Sequence, residues 1–274
     1  MTNHLLTLHQ PSFPMVWEFL NKRDPWHMIA LDALWLYGLN HPEHRWFAEL
    51  RSGRLQGVIY VHGQLVHFAY DEAPDRHSPL YDFLNRHLPQ FTTFGKKEIV
   101  EPIVKRLPFH RLTHAEKSWF LRQSSETRKR LNRRVHWPKA VDVRDGRPED
   151  LYALLDMFTG SEFETEIDSR YIHFLLQQRR ILVAEYRGSI VGAIMCLKET
   201  PRYVLLGNLF VHPQTRNKGI ATLLGQQMML KCMQQGKKVC FFYSKPELKD
   251  FYTKAAFQPL GAWVHYSVTS KATM

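Results

Sequence analysis

Val211-His212-Pro213-Gln214-Thr215-Arg216-Asn217-Lys218-Gly219-Ile220-Ala221 is the stretch on which the reading of this 274-residue chain turns. Before it, Tyr203 to Val211 runs apolar and β-branched, as a strand does. After it, Ile220, Leu224, Met228 and Cys232 recur every four residues and place one apolar face on a helix that reaches about Met233 and ends at Gly236. A strand that enters a basic, glycine-containing loop and then a helix leaves several backbone N–H groups without an intrahelical partner. Such donors suit phosphate. Gly219 takes the Cβ out of an anion's path, Ala221 does nearly the same, and the helix dipole adds attraction. Alone, the pattern R-x-x-G-x-A also fits an ordinary strand-to-helix turn, so the surroundings have to decide.

Upstream, the chain repeats itself. Ala48-Glu49-Leu50-Arg51 followed by Gly57-Val58-Ile59 recurs as Ala184-Glu185-Tyr186-Arg187 followed by Gly192-Ala193-Ile194, at offsets of 136 and 135 residues. Both copies are strand-like on either side of a glycine-bearing turn, Arg51-Ser52-Gly53 and Arg187-Gly188-Ser189, which predicts two hairpins. Two helix-like stretches precede each: Ser12 to Asn21 and His27 to Tyr37, then Glu149 to Phe158 and Ser169 to Gln178. The shared order points to a duplicated domain. The copies then diverge, because the first continues from Gln64–Tyr70 into the acidic turn Asp71-Glu72-Ala73-Pro74 and has no glycine loop. Only the second half is expected to bind what the loop binds.

Composition excludes several classes. At 44% hydrophobic and 23% charged residues the chain is globular, neither disordered nor collagen-like. The longest apolar candidate, Met28 to Leu39, is too short to span a membrane and carries Asp32, and Met1 to Pro25 lacks the apolar run of a signal peptide, so a cytoplasmic location is expected. Cys196, Cys232 and Cys240 form no CxxC pair and are read as reduced thiols. The 15 histidines include no HExxH, and no metal site is expected. The net charge of +11 peaks between the halves: residues 101–135 carry 10 Lys and Arg against 3 Asp and Glu. Lys117 through Arg134 reads as a solvated connecting helix, with no RNP-type motif or zinc finger beside it.

Two motifs in order sharpen the reading. The stretch from Val211 to Ala221 resembles the acetyl-CoA signature of the GNAT N-acetyltransferase superfamily, V-x-P-x-x-[QR]-x-x-G-[IL]-[GA]. Downstream, beyond a strand at Lys238–Tyr243 and within and after a helix at Pro246–Lys254, Phe251-Tyr252-Thr253-Lys254-Ala255-Ala256-Phe257 is similar to the family's F-Y-x-K-x-G-F. The resemblance covers about residues 140–267. It implies an α+β fold with a mixed central sheet flanked by helices, in the order strand, two helices, hairpin, strand, helix, strand, helix, strand. With the repeat, it implies two such domains in tandem: a degenerate copy at 1–112, a basic linker helix at 113–139 and an acetyltransferase domain at 140–274.

The resemblance also implies roles. Backbone groups of Leu209, Phe210 and Val211 would meet the pantetheine arm of acetyl-CoA, the acyl donor. Asn217, Lys218, Gly219, Ile220, Ala221 and Thr222 would hold its pyrophosphate, with Arg216 at the motif's Gln/Arg position. Tyr252 would be the general acid that protonates the departing thiolate. Two positions depart from the family: Lys245 stands where an asparagine is frequent, and Ala256 replaces the second motif's glycine. An incoming amine must shed a proton, yet Asn208 cannot take one, and Glu162, Glu164 and Glu166 fit a solvated acidic loop equally well. The leading expectation is an acetyl-CoA-dependent N-acyltransferase acting on a small-molecule or peptide amine by direct attack. The alternatives are a non-catalytic acyl-CoA-responsive protein, a nucleic-acid binder using Arg128, Lys129, Arg130, Arg133 and Arg134, and a transferase with an aminoacyl-tRNA donor, which would not require the loop.

Overall fold

The computed structural model describes residues 3–108, 110–131, 140–159 and 168–270. The first half of the chain runs β1 (Asn3–Thr7), α1 (Phe13–Lys22), α2 (Met28–Tyr37), β2 (His44–Arg51), β3 (Arg54–His62), β4 (Leu65–Tyr70), α3 (Pro79–His87), β5 (Gln90–Lys96), α4 (Lys97–Lys105) and β6 (His110–Gln123). After α5 (Ser125–Leu131), the second runs β7 (Val141–Asp145), α6 (Leu151–Phe158), α7 (Ser169–Gln177), β8 (Ile181–Tyr186), β9 (Ser189–Glu199), β10 (Tyr203–Val211), α8 (Ile220–Gln234), β11 (Lys238–Tyr243), α9 (Lys249–Lys254) and β12 (Phe257–Ser270). The two series are the same ten elements in the same order, so the fold is α+β with the GNAT element order present twice.

Both predicted hairpins form, and their turns show why. Ser52 and Gly53 have φ of 50° and 75°, Arg187 and Gly188 of 52° and 78°. Two successive left-handed residues match the right-handed twist of the flanking strands. The structure also resolves the one-residue slip in the repeat. Each hairpin has a register shift, but in the first it follows Glu49 and in the second Ala184. Gly57 therefore faces Glu49, whereas Gly192 faces Ala184.

The chain divides into two compact units. One comprises residues 1–121, 242–249 and 259–274, the other residues 122–241 and 250–258. In the first unit the strand order is β1-β2-β3-β4-β5-β12-β6. The last strand of the sequence thus lies in the sheet of the first half, antiparallel to β5, with Trp263 opposite Lys96 and Thr269 opposite Gln90. Alternation along β3 sends Ile59 and Val61 into a core with Leu80, Leu84, Ile99 and Ile103 of α3 and α4. Val58 and Tyr60 enter a second core with Val16, Leu20, Leu31 and Leu34 of α1 and α2, so both faces of this sheet are covered.

In the second unit the order is β7-β8-β9-β10-β11. One core packs Leu154 and Phe158 of α6 and Ile172, Leu175 and Leu176 of α7 against Ile181, Val183, Ala193, Met195 and Phe210. The predicted apolar stripe of α8, Ile220, Leu224, Met228 and Cys232, is buried throughout. Gly192 sits beneath it, and a Cβ there would come within 3.0 Å of the Phe210 carbonyl and 3.1 Å of Leu224. Gly236 ends the helix with φ 76°.

One expectation is corrected. Lys117 to Gln123 belongs to the strand β6, and only Ser125–Leu131 is helical. Trp119, Phe120 and Leu121 are consecutive, a spacing that gives a helix no single apolar face, and the strand gains a sheet neighbour in β12, to which Thr113 Oγ1 donates at Ser267 O (3.2 Å). Tertiary pairing outweighs local propensity here. Arg133 and Arg134 lie outside the described residues. Among those described, no helix is long and apolar enough to cross a membrane.

Candidate active site

β10 is paired differently along its two edges. Against β9 it is antiparallel up to Phe210 opposite Ala193 and Val211 opposite Gly192, with a register shift between Gly207 and Phe210. Asn208 occupies that bulge with φ 47°, and its amide reaches Met195 Sδ at 3.8 Å. Against β11 it is parallel, and the pairing stops at Leu205 opposite Cys240. Among the described residues the last stretch of β10 therefore has β9 as its only ladder partner. Its outer edge is left to accept or donate hydrogen bonds to something extended, and Leu209 there is 38% exposed.

The loop beyond is held by its own chain. His212 N–H donates to Val191 O (2.8 Å), and the Thr215 amide and hydroxyl both donate to His212 O (2.9 and 3.0 Å). Arg216 Nε donates to Val211 O at 3.0 Å, with its guanidinium 5.7 Å from the Phe210 ring centre. Arg216 thus ties the loop to the end of β10. Asn217 (φ 62°) and Gly219 (φ 79°) then turn the backbone left-handed.

Gly219 is the N-cap of α8 and has no side chain to cap with. Leu223 N–H is the first in the helix to find an intrahelical acceptor, Gly219 O at 3.0 Å. Among the described residues nothing caps the amides of Ile220, Ala221 and Thr222, and they point along the positive end of the helix dipole. A cavity of about 470 Å³ opens there, lined by Leu209, Phe210, Val211, Thr215, Arg216, Asn217, Gly219, Ile220, Ala221 and Thr222. Nine of the residues named from sequence are gathered around this space. Lys218 is not among the lining residues, and its Nζ lies 5.5 Å from the Tyr186 ring centre. Thr215 is the lining residue that sequence reasoning missed; it fell at an unspecified position of the motif, and its bond to His212 O had no sequence signal.

Tyr252 sits elsewhere in the second unit, on α9. Its ring packs 5.5 Å from Phe241 and 5.9 Å from Phe257, and it is not part of that cavity's lining. Burial raises its phenol above the ordinary value, which keeps the proton on oxygen at neutral pH. Ala256, in the place of the motif's glycine, adopts φ 62°, so this turn does require a left-handed residue. It is braced by Ala256 N–H to Thr253 O (2.9 Å) and by Thr127 Oγ1 to Ala256 O (3.0 Å). Lys245 N-caps the 3₁₀ turn before α9 and accepts from Leu248 N–H at 3.1 Å through its carbonyl.

Glu162, Glu164 and Glu166 lie outside the described residues, as do Arg133 and Arg134; the side chains of Arg128 and Arg130 are likewise not described. Lys129 of the basic run pairs with Glu126 at 2.9 Å on the surface.

A sequence model described as Acetyltransferase (GNAT) domain matches residues 177–259, which include the end of α7, the loop, α8 and α9. No curated protein matches the sequence significantly. Solved structures do match in fold. A GNAT-family acetyltransferase from Colwellia psychrerythraea superposes with TM-score 0.58 at 14% identity, covering 96% of this chain and 99% of that one. A tandem GNAT protein from the clavulanic acid biosynthesis pathway gives 0.66 at 12% identity, covering 98% and 99%. A GCN5-related N-acetyltransferase from Sphaerobacter thermophilus gives 0.61 at 14%, covering 97% and 95%. At these identities the likeness concerns fold, and it extends over both halves. The second half thus carries a region, residues 177–259, that matches the GNAT acetyltransferase domain, and the chain shares the fold of GNAT structures over both halves.

Proposed function

We propose that the protein is an acetyl-CoA-dependent N-acyltransferase whose cosubstrate site is the loop and helix start around Gly219, and that its acceptor is a small-molecule or peptide amine. The observation that carries this reading is the set of uncapped amides at Ile220, Ala221 and Thr222, set beside a strand edge that has lost its neighbour. Together they offer donors for a diphosphate and an extended backbone for an amide-bearing arm. The activity is assigned to residues 140–274, and residues 1–112 are read as a copy that holds no CoA.

Acetyl-CoA would supply the thioester. The chain's residues then have three tasks. The amides from Asn217 to Thr222 hold the diphosphate, with Lys218 adding a positive charge nearby. The free edge of Leu209–Val211 aligns the arm, which fixes the carbonyl carbon for attack by the amine nitrogen. As the C–N bond forms and the C–S bond breaks, Tyr252 gives its proton to sulfur, for which a buried, protonated phenol is suited, while the proton shed by nitrogen passes to water, from which the phenol is restored.

Isothermal titration tests the binding step, and thiol release with a panel of amines tests the chemistry. Acetyl-CoA and CoA should bind with similar affinity, since the contacts invoked are to the shared part. Tyr252→Phe should lower kcat by about 10²-fold with little change in CoA affinity. No heat with millimolar CoA would remove the proposal, and full activity in Tyr252→Phe would remove the role of the tyrosine.

A further inference from the structure

A second constellation of ligating side chains lies in the first unit, among residues the acyltransfer reading does not use. β6 carries His114 and Glu116, two positions apart and therefore on one face of the strand. β12, its neighbour in the sheet, carries His265, which stands opposite Phe94 of β5. One ligand atom from each of the three comes within 4.8 Å of the other two. Glu116 Oε2 lies 4.0 Å from His265 Nδ1. The His265 ring is stacked on Phe94 (centroids 4.1 Å, planes 24° apart) and tilted against His114 (4.8 Å, 57°).

We infer that His114, Glu116 and His265 form a site for one zinc ion. Two imidazole nitrogens and one carboxylate oxygen suit a borderline ion, whereas calcium and magnesium favour all-oxygen sets. Zinc bonds of about 2.0–2.2 Å require ligand atoms roughly 3.3 Å apart, so the present spacing must close by about 1.5 Å. His265, half-buried and held by Phe94, is the fixed member, and the exposed His114 and Glu116 are free to swing towards it. Three protein ligands at a surface leave a fourth position for water or an exogenous donor. An ion there would also cross-link two strands that are far apart in sequence. The histidine content alone held no such signal, because the third ligand is 151 residues from the first.

The test uses the full chain, stripped of metal with a chelator and titrated with zinc chloride by calorimetry in the absence of any CoA. The wild type should take up one zinc per chain at micromolar concentration. Cobalt in its place should give the intense visible bands of a low-coordinate site. Loss of a partner that merely orients a ligand costs about 10–100-fold in affinity, so His114→Ala and Glu116→Gln should each weaken zinc at least that much and bleach the cobalt bands. Both positions are exposed, and the variants should keep the wild-type melting temperature. Absence of zinc uptake by the wild type would overturn the site. So would wild-type affinity and stoichiometry in the double variant H114A/E116Q, which would move the ion to other histidines.

Discussion

The start of α8 and the start of α3 hold the same place in the two halves, each following the fourth strand of its series, yet they differ in every donor. At α8 three amides are uncapped and the cap is a glycine. At α3 the first residue is Pro79, which has no N–H; Leu80 N–H goes to Ser78 Oγ (3.2 Å) and Tyr81 N–H to Ser78 O (3.2 Å). The preceding strands differ in the same sense. Val211 faces Gly192, which faces Ala184, a row of small and apolar residues. The matching row in the first half is Tyr70, Gly57 and Glu49. There the tyrosine ring fills the space over Gly57, and the Tyr70 and Ser78 hydroxyls both donate to Glu49 Oε2 at 2.8 Å. The adjoining cavity, about 460 Å³, includes Glu49, Asp71, Glu72 and Asp75 in its lining. An anion would meet spent helix-start donors and four carboxylates against one lining guanidinium, Arg51, which lies 3.9 Å from Asp75. One order of elements thus leaves helix-start amides uncapped in one half and caps them beside an acidic pocket in the other, according to a handful of side chains.

The sharpest way to break this comparison is to give the glycine-started helix the charge found in the first half. Gly219→Asp keeps a residue that tolerates φ near 79° but puts a carboxylate among the amides. Losing two charge-assisted bonds costs about 3–6 kcal/mol, so CoA affinity should fall by about 10²–10⁴-fold in calorimetry. Retained affinity would mean that the ligand lies elsewhere. The reciprocal change, Glu49→Ala, strands two buried hydroxyl donors in the first half. It should lower stability in urea by about 2–5 kcal/mol and leave CoA affinity unchanged. A matched loss of CoA binding would show that the halves do not work separately.

Acid should also distinguish them. In the first half, His27 Nδ1 and His67 Nε2 lie 3.1 Å apart, and His67 Nδ1 donates to Phe94 O. Burial pushes His67 down to about 4, against the smaller upward pull of that carbonyl. Burial, and then His67, Arg23 and Lys96, lower His27 as well. The unfolded chain therefore takes up protons first, near the ordinary histidine pKa of about 6.5. Stability that is complete above that value is lost as pH falls towards 4, by about 2 kcal/mol at pH 5 for His67 alone. Six of the seven tryptophans, all but Trp137, lie in the first unit, so urea midpoints followed by tryptophan fluorescence at pH 7 and 5 report on it. A flat midpoint would exclude the histidine pair as the sensitive element.

The smallest effect belongs to the second half. Ala256 at φ 62° bears a Cβ where the backbone turns left-handed, and Ala256→Gly should raise stability by about 0.5–1 kcal/mol in the same measurement. A destabilised variant would show that the alanine methyl packs usefully.

Much of this was legible beforehand because it rests on short-range rules. The strand at Tyr203–Val211, the stripe of α8, the hairpin turns and the glycine at the helix start depend on residues a few positions apart, and all appear where period and glycine placement put them. The first half's lack of a glycine loop was visible too, although the closing of its donors by Ser78 and Pro79 was not. Residues 117–123 were misread, since an isolated basic stretch carries no sign of the strand that will pair with it.

What the sequence determined by itself, then, is the order of elements and the local geometry of the cradle, because backbone conformation and helix ends obey nearest-neighbour sterics and hydrogen bonding. The tertiary structure alone decided that β12 joins β5, that Tyr70 and Ser78 converge on Glu49, and that His265 comes beside His114 and Glu116. Those arrangements bring together residues distant along the chain, and their energy exists only after the sheets have assembled.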